Sequence, residues 1–383
     1  MDKPTVQDIF HRFYPAYLDQ YSPSPVQAKV AHNIMNCKTG AYGANVCVCE
    51  DCGFVQIHYN SCRNRCCPMC QAVPKEMWMD ARREDVLDAP YFHLVFMVPD
   101  ILNPVIYSNQ RLLYDALYHA ASSTISELTA DPKHLGAKVG YICILHTWGS
   151  EMNFHPHIHT ILLGGGLASN NQWKDNGENF FLPIRVISKM FRGKYLEELK
   201  RLWEEDKLVF HGTAEKFRNH YTFKELLDSC YGMDWIPHCK KTFNGAQTVM
   251  KYLGKYTHRI AVSNHRIVRM DDDTVTFLVK DYRNEGQWKE LTISGVEFVR
   301  RFLMHVPPRR FVRIRHYGLL CSRTKSQKLT LCRNLLGCKK YLSKLRDMEM
   351  PEILEHLYGI KVCVCKACGG HLGKPQMRMP LRC

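Results

Sequence analysis

The chain has 383 residues with 45% apolar and 23% charged content, long enough for two or three domains with real cores and ordinary for a soluble protein. Its net charge of +15 is unusually high and points to a polyanionic partner, most simply nucleic acid. No apolar run approaches the roughly eighteen residues of a membrane span, and MDKPTVQDIFHRFYPAYL lacks the charged-then-apolar layout of a secretory leader; a cytoplasmic protein with no membrane partner is expected, and its eighteen cysteines are then better explained by metal than by disulfides.

The first thirty-five residues read as helical, from apolar positions at helical spacing in VQDIFHRFYPAYL and SPVQAKVAHNIM. From Cys47 to Cys70 the chain reads CVCEDCGFVQIHYNSCRNRCCPMC. Cys49 and Cys52 form one Cys-x2-Cys pair and Cys67 and Cys70 a second, fourteen residues apart, the spacing of one tetrahedral zinc site. Cys47, His58, Cys62 and Cys66 remain as candidates for a second ion, and Tyr59, Arg63 and Arg65 suit a nucleic-acid face or a purely structural clip equally well.

YFHLVFMVP (residues 91–99) reads as a buried strand, and Val105 to Leu128 as a helix with Leu112, Leu113, Ala116, Leu117 and Ala120 on one stripe. VGYICILHTWG (139–149) is a second strand, joined by GSEMN to a third, NFHPHIHTILLGGG (153–166), which the glycines are expected to stop. The result is an antiparallel sheet crossed by helices, an α+β core.

Residues two apart on a strand share a face, so His155, His157 and His159 would point the same way. Each such step covers about 6.6 Å and a metal-bound nitrogen sits about 2 Å from its ion, so only a neighbouring pair converges easily. His157 and His159 are favoured; His155 joins if Pro156 bends the strand, and His146 and Glu151 are the other candidates for a third ligand.

A polar loop (169–179) leads to an amphipathic helix from Ile184 to Lys207, and GAQTVMKYLGKYTH (245–258) is a second helical pattern. There Tyr252 and Tyr256, four apart, would stand one turn apart on one face, among Lys251, Lys255, His258 and Arg259. RIAVSNHRIVRM, TVTFLVKDYRN and QWKELTIS read as a three-strand meander, followed by a helix from Gly295 to His305 and by PPRRFVRIRHYGLL. Between Phe298 and Arg346 stand fourteen Lys or Arg and no Asp or Glu, with Arg309, Arg310, Arg313 and Arg315 close together. Finally VCVCKACG (362–369) repeats VCVCEDCG (46–53) at six of eight positions, making Cys363, Cys365 and Cys368, with His371, candidates for another zinc site.

HPHIH, YLGKYTHRIAVSNHRI, SCRNRCCPMCQ, FFLPIRVISKMFRGK and RRFVRIRHYGLL together resemble the rolling-circle insertion-sequence transposases of bacteria, the two-tyrosine HUH class with an N-terminal zinc-binding domain. The resemblance runs from about Cys49 to Leu336. It implies an HUH-endonuclease-like antiparallel sheet with flanking helices plus zinc-binding modules, in a bacterial, DNA-associated protein. It also implies an enzyme that nicks and rejoins single-stranded DNA at element termini and in target DNA. His157 and His159, and less directly His155, would hold Mg or Mn, and Tyr252 and Tyr256 would be the nucleophiles that form a 5′-phosphotyrosine. Structural zinc is expected at Cys49, Cys52, Cys62, Cys66, Cys67, Cys70, Cys365 and Cys368, and DNA contacts at Lys251, Lys255, Arg259, Arg309, Arg310, Arg313 and Arg315. Two departures from the family pattern are Cys66, where histidine would precede the following cysteine, and Arg310, where glycine is commoner. The expected division is 1–80 for the helical and zinc-binding part, 81–265 for the catalytic part and 266–383 for a basic C-terminal region; the sequence allows a homo-oligomer without requiring one. A plasmid relaxase or replication initiator shares this chemistry, and a non-catalytic zinc-bearing DNA-binding regulator is the rival of another class.

Overall fold

A computed structural model describes residues 3–175, 182–243, 249, 254, 261–281, 286–374 and 376–378. Two helices open the chain, α1 (Val6–Gln20) and α2 (Pro25–Met35), each started by a capping box, Thr5 with Asp8 and Ser24 with Gln27. Strands β1 (Ala44–Val48) and β2 (Val55–Tyr59) pair as a hairpin before helix α3 (Ala72–Arg83). Then come β3 (Tyr91–Met97), α4 (Asn103–Ser108), α5 (Gln110–Ala130), β4 (Lys138–Trp148), β5 (Phe154–Leu167) and β6 (Trp173–Asp175). Helices α6 (Ile184–Glu204) and α7 (His220–Gly232) precede β7 (His238–Phe243). The C-terminal third holds β8 (Ile267–Met270), β9 (Thr274–Asp281), β10 (Gln287–Ser294), α8 (Gly295–Met304), β11 (Ile314–Gly318), α9 (Lys325–Leu336), α10 (Met350–Tyr358) and β12 (Gln376–Arg378).

The fold is α+β, as expected, around a six-stranded antiparallel sheet of order β11-β4-β5-β3-β7, with β6 paired to β5. Side chains alternate across it. Phe92, Leu94, Phe96, Tyr141, Cys143, Leu145, Ile158 and Leu162 face one way and are buried with the apolar stripes of α5 and α6. Their neighbours His93, Ile142, Ile144, His146, His157, His159 and Ile161 therefore face the other way, where Ile142, Ile144 and Ile161 pack with Leu87, Val249, Leu319 and Leu329. A second core joins α1 and α2 to the β8–β10 meander and α8 through Phe10, Phe13, Phe277, Phe298 and Phe302, with Met152 of the β4–β5 link buried among them.

Two local expectations differ in the structure, and one segment that the sequence leaves unassigned becomes a strand. The helix expected from Val105 to Leu128 is two helices broken at Asn109, whose side-chain amide donates to the Val105 carbonyl at 2.9 Å and to Val209 at 2.7 Å. An asparagine that offers its own backbone an alternative partner interrupts a helix in this way. Nor do the glycines stop the third strand: β5 runs on to Leu167, and Gly165 and Gly166 pair with Asp175 and Lys174. Glycine is needed there for space, since the Trp173 ring lies over Gly165 and a Cβ on Gly166 would meet the Lys138 carbonyl at 2.5 Å. RIRHYG, finally, is an edge strand, with Ile314 opposite Ile144. Among the described residues no helix is long and apolar enough to cross a membrane.

Candidate metal centre and thiolate clusters

Strands β4 and β5 bring three imidazoles together. His146 stands directly opposite His157 in the ladder, and His159 lies two residues along on the same face. All three are buried, and one ring nitrogen of each lies within 4.8 Å of the others. The His157 and His159 Nε2 atoms are 3.1 Å apart, close to the roughly 3 Å separation of two nitrogens sharing one ion at about 2 Å each. The His157 Nδ1 sits 2.6 Å from the His155 carbonyl, which can only accept, so Nδ1–H donates and the neutral ring carries its lone pair on Nε2. Burial pushes the His157 pKa down to about 4, which keeps that lone pair unprotonated at neutral pH. His159 Nδ1 is held at 2.9 Å by His93 Nε2, so both rings are oriented by outer partners, as imidazole ligands of metals usually are. His146 stacks on Trp148 with centroids 4.5 Å apart.

His155 is not in this group. Between the Trp148–Phe154 and His146–His157 pairs β5 carries one residue more than β4, a bulge that breaks the side-chain alternation. The bulge falls at His155 and Pro156, and His155 Nδ1 instead meets the Asp100 carboxylate at 3.2 Å. Glu151 is exposed, 4.0 Å from Lys289. Of the candidates for the third position, His146 is the one the ladder delivers. His93 carried no sequence motif; its signal was a lone polar residue inside the apolar run YFHLVFMV.

Tyr252, Tyr256, Lys251, Lys255 and Arg259 lie outside the described residues. Of this segment, Val249 is buried on the histidine side of the sheet with Ile142, Ile144 and Ile161, and Gly254 lies close to Met79 and Lys75 of α3.

The cysteines sort into two sets of four that differ from the expected pairing. Cys67 and Cys70 join Cys62 and Cys37, while Cys49 and Cys52 join Cys365 and Cys368 from the other end of the chain. Cys37 follows α2 and stands alone in sequence, so no spacing singled it out. Cys66, expected with its neighbour, is buried instead against Trp148, His305 and Arg313, because successive side chains at Cys66 and Cys67 diverge. In the first set the Cys62 and Cys70 sulfurs are 3.8 Å apart, the edge of a tetrahedron with about 2.3 Å metal–sulfur bonds. Hydrogen bonds from Cys62 and Cys67 pull the Cys70 thiol down to about 2, and the same contacts push Cys67 up. Thiols this crowded ionise together only beside a cation. Cys47 is buried beside the second set, Cys363 is exposed, and neither belongs to a set; His58 bonds Gln56 at 2.7 Å.

The acid-free basic segment finds its acids elsewhere in space. Arg315 pairs with Asp115 and stacks 4.0 Å from the Tyr118 ring centroid, Lys325 meets Asp85 at 2.8 Å, and Arg346 meets Glu84 at 2.7 Å. Arg313 is packed near Trp148, and burial lowers its pKa. Arg309 and Arg310 are exposed. Arg310 has φ of 60°, the left-handed conformation that glycine adopts without strain, so a glycine would fit this position at least as well.

Known proteins resemble this chain over most of its length. A family model described as "Putative transposase" matches residues 140–328, and one described as "Transposase zinc-binding domain" matches residues 9–98. A relative described as "Putative transposase y4qJ", from Sinorhizobium fredii, is 40% identical over 369 residues, 95% of this chain and 93% of its own length. The transposase for insertion sequence element IS801 of Pseudomonas savastanoi pv. phaseolicola is 30% identical over 79% of this chain and 72% of its own. Two solved structures of the conjugative relaxase TrwC with OriT DNA, one metal-free and one copper-bound, align at 14% and 13% identity. They cover 45% and 67% of this chain and 68% and 99% of the relaxase chains, with TM-scores of 0.23 and 0.26. The extent and identity of the two transposase matches decide the matter: this chain belongs to the rolling-circle insertion-sequence transposases that carry an N-terminal zinc-binding domain.

Proposed function

We propose that the protein nicks and rejoins single-stranded DNA at the ends of its element through a 5′-phosphotyrosine. Tyr252 and Tyr256 act as nucleophiles, and His146, His157 and His159 hold a divalent ion, Mg or Mn. The observation that carries this reading is the buried trio of imidazoles, with two Nε2 atoms 3.1 Å apart and both rings oriented from behind. When bound, the ion would polarise the scissile phosphate and stabilise the charge growing on it. The rest falls to the chain. A tyrosine oxygen attacks phosphorus as its proton leaves, the new O–P bond forms, and the bond to the 3′-oxygen breaks to free a 3′-hydroxyl. One phosphodiester is exchanged for another, so no nucleotide cofactor is required. A phenol with pKa near 10 needs a cation or base to react at neutral pH, and Lys251 and Lys255 flank Tyr252 and precede Tyr256 in sequence. Two tyrosines let one remain joined to DNA while the other cuts. The burial of Val249 on the histidine side of the sheet supports this role for the segment that follows it.

The test is a nicking assay on single-stranded DNA carrying the element terminus, with Mn2+ or Mg2+, read on a denaturing gel. A covalent protein–DNA adduct is expected, abolished by EDTA, by His157→Ala/His159→Ala and by Tyr252→Phe/Tyr256→Phe. Binding of the terminus without adduct would overturn the proposal in favour of a zinc-bearing DNA-binding regulator.

A further inference from the structure

We infer that Cys49, Cys52, Cys365 and Cys368 bind a single zinc ion that staples the two ends of the chain together. The inference is independent of the nicking chemistry. Two of its ligands lie beyond both regions matched by the family models, residues 9–98 and 140–328.

The first ground is the distance between thiols. The Cys49 and Cys368 sulfurs are 3.5 Å apart and the Cys52 and Cys365 sulfurs 3.8 Å, near the edge of about 3.8 Å that a tetrahedral zinc with 2.3 Å bonds requires. A disulfide would bring two sulfurs to about 2.05 Å, and all four are free thiols.

The second ground is the internal repeat. VCVCEDCG and VCVCKACG fold into the same turn. In the first, the Gly53 N–H donates to the Cys49 carbonyl at 3.0 Å and the Cys49 N–H to Phe54 at 2.9 Å. In the second, the Gly369 N–H donates to Cys365 at 2.9 Å and the Cys365 N–H to Gly370 at 2.8 Å. Gly53 and Gly369 both take positive φ, 72° and 78°. Backbone N–H groups of Ala367 and Gly370 point at the Cys365 and Cys368 sulfurs at 3.4 Å, as befits atoms that carry negative charge. Each octapeptide thus presents two thiolates on one side of a turn, and the repeat supplies two halves of one tetrahedron.

The third ground is that the two turns are built to meet. Cys49 bridges to Leu372, the Gly373 N–H donates to Val48 at 2.9 Å, and the Glu50 N–H donates to His371 at 3.2 Å. Beyond them β12 pairs with β1, Ala44 opposite Arg378, so the C-terminal strand completes a sheet begun in the N-terminal domain. Among the described residues the apolar cluster beneath is Cys47, Cys49, Cys365 and Leu372, far too small a core to hold two segments 313 residues apart without a metal.

The test counts ions in the full-length protein after replacement by Co2+, using the thiolate-to-cobalt charge-transfer band, which the histidine site lacks. Two thiolate-bound ions are expected in the parent protein. One is expected in Cys365→Ser/Cys368→Ser, one in Cys49→Ser/Cys52→Ser, and still one when all four changes are combined, because both pairs serve the same ion. Loss of both ions in the combined variant, or two ions retained in Cys365→Ser/Cys368→Ser, would overturn the inference. A second measurement avoids cysteine changes altogether. A protease site inserted between Gly359 and Ile360, where Ile360 is 51% exposed, allows the chain to be cut after zinc loading. The cut tail should co-elute with the body on gel filtration and separate from it when a chelator is added. A tail that leaves in the presence of zinc, or stays after chelation, would equally overturn the staple.

Discussion

In the proposed metal centre His146, and not His155, is the third ligand. Replacing His146 by Ala removes one of three ring nitrogens grouped within 4.8 Å. Changes to outer partners of metal ligands already cost roughly 10–100-fold in affinity, so loss of a direct ligand is expected to cost about 100-fold or more, about 2.7 kcal/mol or more. His155→Ala is expected to cost less than about fivefold, since its exposed ion pair with Asp100 contributes at most about 1 kcal/mol and its ring lies outside the grouped trio. The Asp100 side chain opposite His155 is 73% exposed, and what His155 gives His157 is its backbone carbonyl at 2.6 Å, which alanine keeps. Calorimetric titration of Mn2+ into the zinc-loaded full-length protein measures both variants directly, and adduct yield at limiting Mn2+ should follow the same order. Equal or greater weakening by His155→Ala would refute the argument, and with it the bulge as the device that selects the ligands.

Three other sites make equally direct demands. Cys37→Ser should let a chelator strip zinc from the Cys62, Cys67 and Cys70 set, while Cys66→Ser leaves zinc retention unchanged; the reverse order would disprove the grouping. His305 is buried and neutral, its Nε2–H donating to the Met152 carbonyl at 3.0 Å and its Nδ1 accepting from the Thr147 hydroxyl at 3.2 Å. Burial lowers its pKa from 6.5 to about 4, so the unfolded chain binds the proton more tightly and stability is lost as pH falls from 6.5 towards 4. Between pH 7 and pH 5 that loss is about 2 kcal/mol, and a His305→Gln variant should show a urea midpoint less sensitive to acid than the parent by that amount. Gly166→Ala would drive a methyl to 2.5 Å from the Lys138 carbonyl of the adjacent strand and should cost about 2 kcal/mol or more; an unchanged Tm would show that β4 and β5 can part there.

Much of this molecule is legible in the residues alone. The α+β class follows from short continuous apolar runs in β3, β4 and β5 against helical spacing in α1, α5 and α6, because run length and a period of 3.6 residues are local properties. The pair His157 and His159, the two Cys-x2-Cys turns near the N-terminus and the repeated octapeptide are local in the same sense. What sequence could not decide was which distant groups share a site. Two Cys-x2-Cys pairs fourteen residues apart satisfy zinc geometry in sequence, yet β12 pairing with β1 brings Cys365 and Cys368 to Cys49 and Cys52, and α2 brings Cys37 to the other three. His155 has the right spacing, yet the extra residue in β5 leaves it outside the trio and paired with Asp100, whereas ladder register sets His146 opposite His157. The fourteen cations without a neighbouring acid likewise include Arg315, Lys325 and Arg346, which find Asp115, Asp85 and Glu84 through folding. Spacing fixes what one turn or one strand can present, and only the closed chain fixes what it is presented to.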